Sequence, residues 1–166
     1  MKMKLEQLEA AFKEEINLYK SLLILETSKK EAILRSNGKH LENFTKQTSA
    51  MMDTLTGVEA KRSKLVAEFF SQEKDGAVVP NVTEFLNRLD KVTLAKFKPL
   101  TNDLKFVVLD LKEKITVNEE LLKSKLDIFS LSIDALKSAS ESPVSELYGD
   151  NSKSKARTNV MLNMRA

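Results

Sequence analysis

One histidine, no cysteine and two adjacent acid pairs are the residues from which this chain would have to assemble any catalysis. A metal site without thiolates would need His40 plus converging carboxylates. The nearest acid, Glu42, stands two residues along and points elsewhere on a helix. His40 itself lies beside a Gly turn, where it reads as an exposed residue or a local cap. General acid–base work calls for facing carboxylates, but Glu14-Glu15 and Glu119-Glu120 are sequence neighbours. On a helix such side chains diverge by about 100°. Serines are abundant, yet no context supplies one with a base and an oxyanion hole. The four glycines are isolated from one another, so no phosphate-cradling loop can form. The chain reads as non-enzymatic, with no metal and no cofactor.

Attention therefore shifts to the elements that carry these side chains. The 166 residues amount to one domain's worth of chain, and 42% of them are hydrophobic and 31% charged. Only 4 Gly and 3 Pro interrupt a background of Leu, Lys, Glu and Ala, which favours long helices over sheet. The opening MKMKLEQLEAAFKEE acquires acids early and holds no apolar run, unlike a secretory signal. No stretch reaches eighteen uninterrupted apolar residues, so no membrane insertion is expected and the cytoplasm is the expected location. The net charge of +3 sits wholly in residues 149–166, where Lys153, Lys155, Arg157 and Arg165 face Asp150 alone. A neutral body argues against a nucleic-acid-binding face there, and four cations with one Tyr make a weak nucleic-acid signal in the tail.

Breakers mark the divisions: a turn at Asn37-Gly38, a loop from Asp75-Gly76 to Pro80, a kink or break at Pro99, and an exit at Pro143 and Gly149. Between them, apolar residues recur at steps of three and four. The first stripe runs Leu5, Leu8, Phe12, Ile16, Tyr19, Leu22, Leu23 and Ile33, with Glu26 and Lys30 placed to pair at i,i+4. The second runs from Leu41 through Leu55 and Val58 to Phe69, with Gly57 costing about 1 kcal/mol relative to Ala. Arg62 on this stripe has two readings, an intrahelical pair with Glu59 or a grip on an acid of a neighbouring helix. Asn81-x-x-Glu84 is a capping signal for a short helix. The longest stripe follows Pro99, from Leu100 through Leu111, Asn118 and Leu122 to Leu136.

A helix over 101–138 would be about 57 Å long and needs partners of similar length. The prediction is an all-α fold: an elongated antiparallel, coiled-coil-like bundle of three long helices and one short one. Its helices fall at about 3–35, 38–71, 82–97 and 101–138, forming a bundle over 1–139, with a flexible basic and apolar tail over 140–166. Asn118 lies among aliphatic residues, where it either fixes register, as a lone buried Asn does in coiled coils, or binds a partner directly.

With these patterns in place, the chain resembles the flagellar export chaperones of the FlgN type. The likeness is carried by "YKSLLILETSKKEAIL", by "LENFTKQTSAMMDTL" running into "VEAKRSKL" with its Glu59-x-x-Arg62, and by "ITVNEELLKSKLDIF" with Asn118 four residues before Leu122. A Tyr-Gly followed by a basic stretch and a short apolar end completes it. The loop around 72–82 and the Ser-rich stretch before Pro143 exceed the family's length and inherit no role. The resemblance implies a cytoplasmic chaperone that holds hook–filament junction proteins, prevents their premature assembly and delivers them to the cytoplasmic domain of the type III export gate. It also implies that Tyr148 contacts that gate; from the residues alone, Tyr148 could equally pack at a helix end on Leu147 or Pro143.

The expected cargo surface comprises Asn118, Leu122, Leu126, Phe129, Ile133 and Leu136 on the long helix. Leu147, Val160, Met161, Leu162 and Met164 extend it in the tail, where Met suits adaptable contacts. The opposing reading has Leu126–Leu136 packing on the first two helices and the terminal knot folding back. Outside this family, the same pattern fits a structural coiled-coil component of the export apparatus, an adaptor without cargo, or a regulatory protein whose basic tail binds nucleic acid. An exposed stripe on a long helix also invites self-association.

Overall fold

The computed structural model describes residues 2–70 and 81–141. The fold is all-α, and among the described residues no strand occurs. Four helices follow in order: α1 over Lys2–Leu34, α2 over Gly38–Phe70, α3 over Val82–Asn87 and α4 over Lys91–Ser140. The chain divides into two compact units, Met1–Lys123 and Ser124–Ala166. The first holds α1, α2, α3 and the N-terminal part of α4.

Within this first unit, α1 and α2 run antiparallel: Lys4 pairs with Glu68, Glu15 with Arg62, and Leu22 packs with Leu55. Numbers on α1 and α4 instead rise together, from Glu9 with Lys96 through Phe12 with Phe97 to Glu26 with Asn118. The three long helices therefore alternate direction along the chain. Between α1 and α2 the turn is tight. Ser36 adopts φ 54°, while the Ser36 and Asn37 amides donate back to the Ile33 and Ala32 carbonyls. That is the left-handed ending a helix commonly uses, with Ser in the position Gly usually takes. Asn37 then caps α2, its Oδ1 accepting from the His40 amide at 3.1 Å. The left-handed residue of this turn is thus Ser36, and Gly38 simply begins the next helix.

The expected division at Pro99 is absent. Helix α3 stops at Asn87, and α4 starts at Lys91 and runs through Pro99. A local cap shifts the boundary. Asp90 places its carboxylate on the Val92 and Thr93 amides at 3.2 and 3.3 Å, giving α4 a strong N-cap before the proline is reached. Its carboxyl is held below the usual range, chiefly by the hydrogen bond with Thr93. Val92, five residues before the buried Phe97, is exposed and belongs to no stripe. Asn81 and Glu84 do form the expected capping box at the start of α3.

A cluster of aromatic rings lies in the core of the first unit. Phe12, Phe85 and Phe97 are fully buried and meet mostly edge-on, with Phe70 against Phe85. Such contacts add about 1 kcal/mol per pair to the apolar area that they bury. One turn along from Phe12, Glu15 is buried as well and accepts from both Nε and Nη2 of Arg62, whose guanidinium also stacks on the Phe12 ring. Arg62 therefore grips the neighbouring helix, and Glu59 instead accepts the Tyr19 hydroxyl at 2.8 Å. Burial pushes the Glu15 carboxyl above its ordinary value despite the arginine. Burial and Glu59 together hold the Tyr19 phenol well above its usual range.

Two predictions follow from this packing. Gly57 lies in the interior of α2, and a Cβ there would meet nothing within 4 Å. Gly57→Ala should raise the unfolding free energy by about 1 kcal/mol in urea titrations, and an unchanged midpoint would contradict the helix placement. Arg62→Met should cost about 3 kcal/mol near neutral pH, because it strands a buried carboxylate. A carboxyl raised in the folded state contributes stability that is present at acid pH and lost as pH rises through its folded value. The penalty relative to the parent chain should therefore shrink as the pH is lowered from neutral into the acid range. A penalty that is constant or grows on acidification would show Glu15 to be paired elsewhere.

Candidate partner-binding site

Chemistry is sparse in this molecule. The His40 ring is exposed, 3.1 Å from the Asn37 amide and edge-on to Phe44. Glu14 is exposed where Glu15 is buried, so the two diverge as their spacing requires. Among the described residues no group of three His, Asp or Glu is placed to hold a metal ion, and no helix is long and apolar enough to cross a membrane. An open pocket lies against Phe12, Arg62, Val66, Asn81 and Phe85, but its one cation is already committed to Glu15.

Binding surface is plentiful. The α4 seam is filled along the first unit by Phe97, Thr101, Leu104, Val107, Leu111 and Asn118, all buried. Leu104 and Val107 join the phenylalanine cluster, and Leu111 meets Leu22 and Leu55. Asn118 is only 5% exposed, and its Nδ2 donates to both the Glu26 carbonyl and Glu26 Oε2, each at 2.8 Å. Glu26 is equally enclosed, and its other carboxylate oxygen accepts from Lys29 Nζ at 2.9 Å. The expected pairing of Glu26 with Lys30 is replaced by this i,i+3 contact, because Lys30 points to solvent. The Asn118 amide spends both contacts within the unit and presents no side-chain surface to a partner. Its position fits the register role.

Leu122 follows in the same unit, half-buried. In the second unit the described residues 124–141 form the last turns of α4. Every one of them is exposed except Lys125 and Ile133, which are half-buried. Leu126, Phe129 and Leu136 are 58, 49 and 71% exposed. They keep the three-and-four spacing of the buried seam, so one face of the helix carries Leu126, Phe129, Ile133 and Leu136 together. Ile128 and Leu131 are also exposed and were not on the expected face; their spacing of three was the signal. Leu147, Tyr148, Val160, Met161, Leu162 and Met164 lie outside the described residues.

Against this geometry, the family model described as FlgN protein matches residues 1–156. The chain belongs to the FlgN family. That makes it a flagellar export chaperone, a protein that binds flagellar substrate proteins. The FlgN match takes in the whole seam of α4, Tyr148 and the first basic residues of the tail, and stops short of Val160, Met161, Leu162 and Met164. No curated protein and no solved structure matches the chain.

The buried polar contact generates a prediction for this FlgN-family chain. Asn118→Leu leaves the enclosed Glu26 oxygen without its donor and should cost about 2 kcal/mol in chemical denaturation. Adding Glu26→Leu should restore most of that loss, because replacing both partners of a buried polar pair by apolar groups is nearly neutral. Purely additive effects would show that the two side chains do not act as a pair.

Proposed function

We propose that this chaperone holds the terminal helical segments of hook–filament junction proteins on the face of α4 made by Leu126, Phe129, Ile133 and Leu136, prevents their premature assembly, and passes them to the cytoplasmic domain of the export gate. The observation that carries the reading is the run of uncovered apolar side chains from Leu126 to Leu136 on a regular helix. Chains that assemble only after secretion must keep their own apolar stripe covered until then, and an amphipathic helix laid against another does so without chemistry. Each apolar side chain buried in that contact contributes roughly 1.5–3 kcal/mol, and ordering the incoming segment offsets roughly 2–5 kcal/mol of the total. The balance is a contact firm enough to survive in the cytoplasm and weak enough to be undone at the gate. Leu147, Val160, Met161, Leu162 and Met164 extend this proposed surface, and Tyr148 is the proposed contact with the gate.

The experiment is a calorimetric titration with the C-terminal segment of a junction protein. Because Leu126, Phe129 and Leu136 are exposed, replacing all three by Ser should leave the melting temperature unchanged while weakening binding by roughly a hundredfold or more. Undiminished binding would refute the site. A melting curve lowered by several degrees would show that the three residues serve the chain's own core. In the same assay Tyr148→Ala should bind cargo normally and lose affinity only for the gate domain.

A further inference from the structure

Helix α4 has a second apolar line, away from its buried seam. Phe106 is 68% exposed in the middle of the helix, and Leu109 and Val117 are exposed beside it at helical spacing. The same strip carries Asp110, Glu113 and Glu120, all exposed. All six residues fall in the first unit, between Phe106 and Glu120, a strip about 21 Å long. Lys105, Lys112 and Lys114 project roughly 80–120° away from the Phe106 direction, so no cation lies on the strip itself. None of the three acids forms an ion pair among the described residues, whereas Glu9, Glu15, Glu26, Glu31 and Glu42 all do. An aromatic ring left in water between unpaired carboxylates is not explained by the packing of this unit.

We infer that this strip docks a helix from a partner protein whose apolar stripe is flanked by Lys or Arg. Charge decides among the possible occupants. A second copy of this chain applied through the same strip would bring acids against acids, and a nucleic acid or an anionic membrane would be repelled by them. A basic amphipathic helix satisfies both features at once. Its aliphatic side chains cover Phe106, Leu109 and Val117, and its cations meet Asp110, Glu113 and Glu120 across the rim, where such pairs select the partner and speed encounter more than they tighten the complex. This surface lies within the first unit and does not rest on the cargo reading, so the two can fail independently.

The test uses the full chain and two synthetic amphipathic helices of about 18 residues, one Leu/Lys and one Leu/Glu, followed by amide NMR. The Leu/Lys peptide should shift resonances of residues 106–120 and the Leu/Glu peptide should not. Binding of the Leu/Lys peptide should weaken roughly tenfold in Asp110→Lys/Glu113→Lys, about 1.4 kcal/mol, and that variant should accept the Leu/Glu peptide. Phe106→Ser/Leu109→Ser provides the apolar control, with a melting curve like that of the parent. Shifts that skip residues 106–120, or that are equal for both peptides, would overturn the inference. So would a dimer abolished by Phe106→Ser. Resonances of this strip that move when residues 142–166 are removed would assign it to the chain's own end and overturn it as well.

Discussion

A helix can bury a stripe only where another chain segment lies against it. Helix α4 is 50 residues long, whereas α1 and α2 have 33 each. The last fully buried residue of α4 is Asn118, and what it touches is another buried polar residue, Glu26. Two aliphatic residues at these positions would have given more apolar burial. The amide and the carboxylate instead allow one register between α1 and α4, because any slip would leave an enclosed carboxylate without its donor. Glu15 and Arg62 impose the same condition between α1 and α2. The bundle is thus pinned at two levels by groups that are costly to misplace, and its apolar residues are free to be generic.

That division explains what could be read from the sequence. The number and direction of the long helices were legible because three-and-four spacing persists over tens of residues. The capping box at Asn81 was legible because it is a local interaction. The helix break was misplaced because Pro99 was weighed as a breaker, while the Asp90 cap, which decides where α4 starts, is a weaker sequence signal. Arg62 could be placed on the seam but not assigned its partner, since Glu59 lies one turn away on α2 itself, Glu15 lies on α1, and only the packing of α1 against α2 selects between them. The stripe from Leu126 to Leu136 is legible because it continues the seam's three-and-four spacing. The Phe106 strip was missed because a single dominant stripe was sought, and a second one at another angle is diluted by the acids between its members.

For a member of the FlgN family, a rigid bundle and an uncovered helix face are complementary needs. A chaperone that repacked its own core on binding would add the cost of its own ordering to that of its client. Here the phenylalanine cluster, the Glu15–Arg62 pair and the Glu26–Asn118 contact hold the helices of the first unit together. In the proposed function, affinity is set by the client's ordering and by a few exposed side chains, the balance that a releasable client calls for.

Hydrogen–deuterium exchange of the intact chain, free and with a junction-protein terminal segment, reads this separation most directly. Amides of residues 124–140 should exchange quickly in the free protein and slow on binding, while those of residues 97–118 stay equally slow in both states. Slow exchange over 124–140 without a client, or a binding footprint on 97–118, would contradict it.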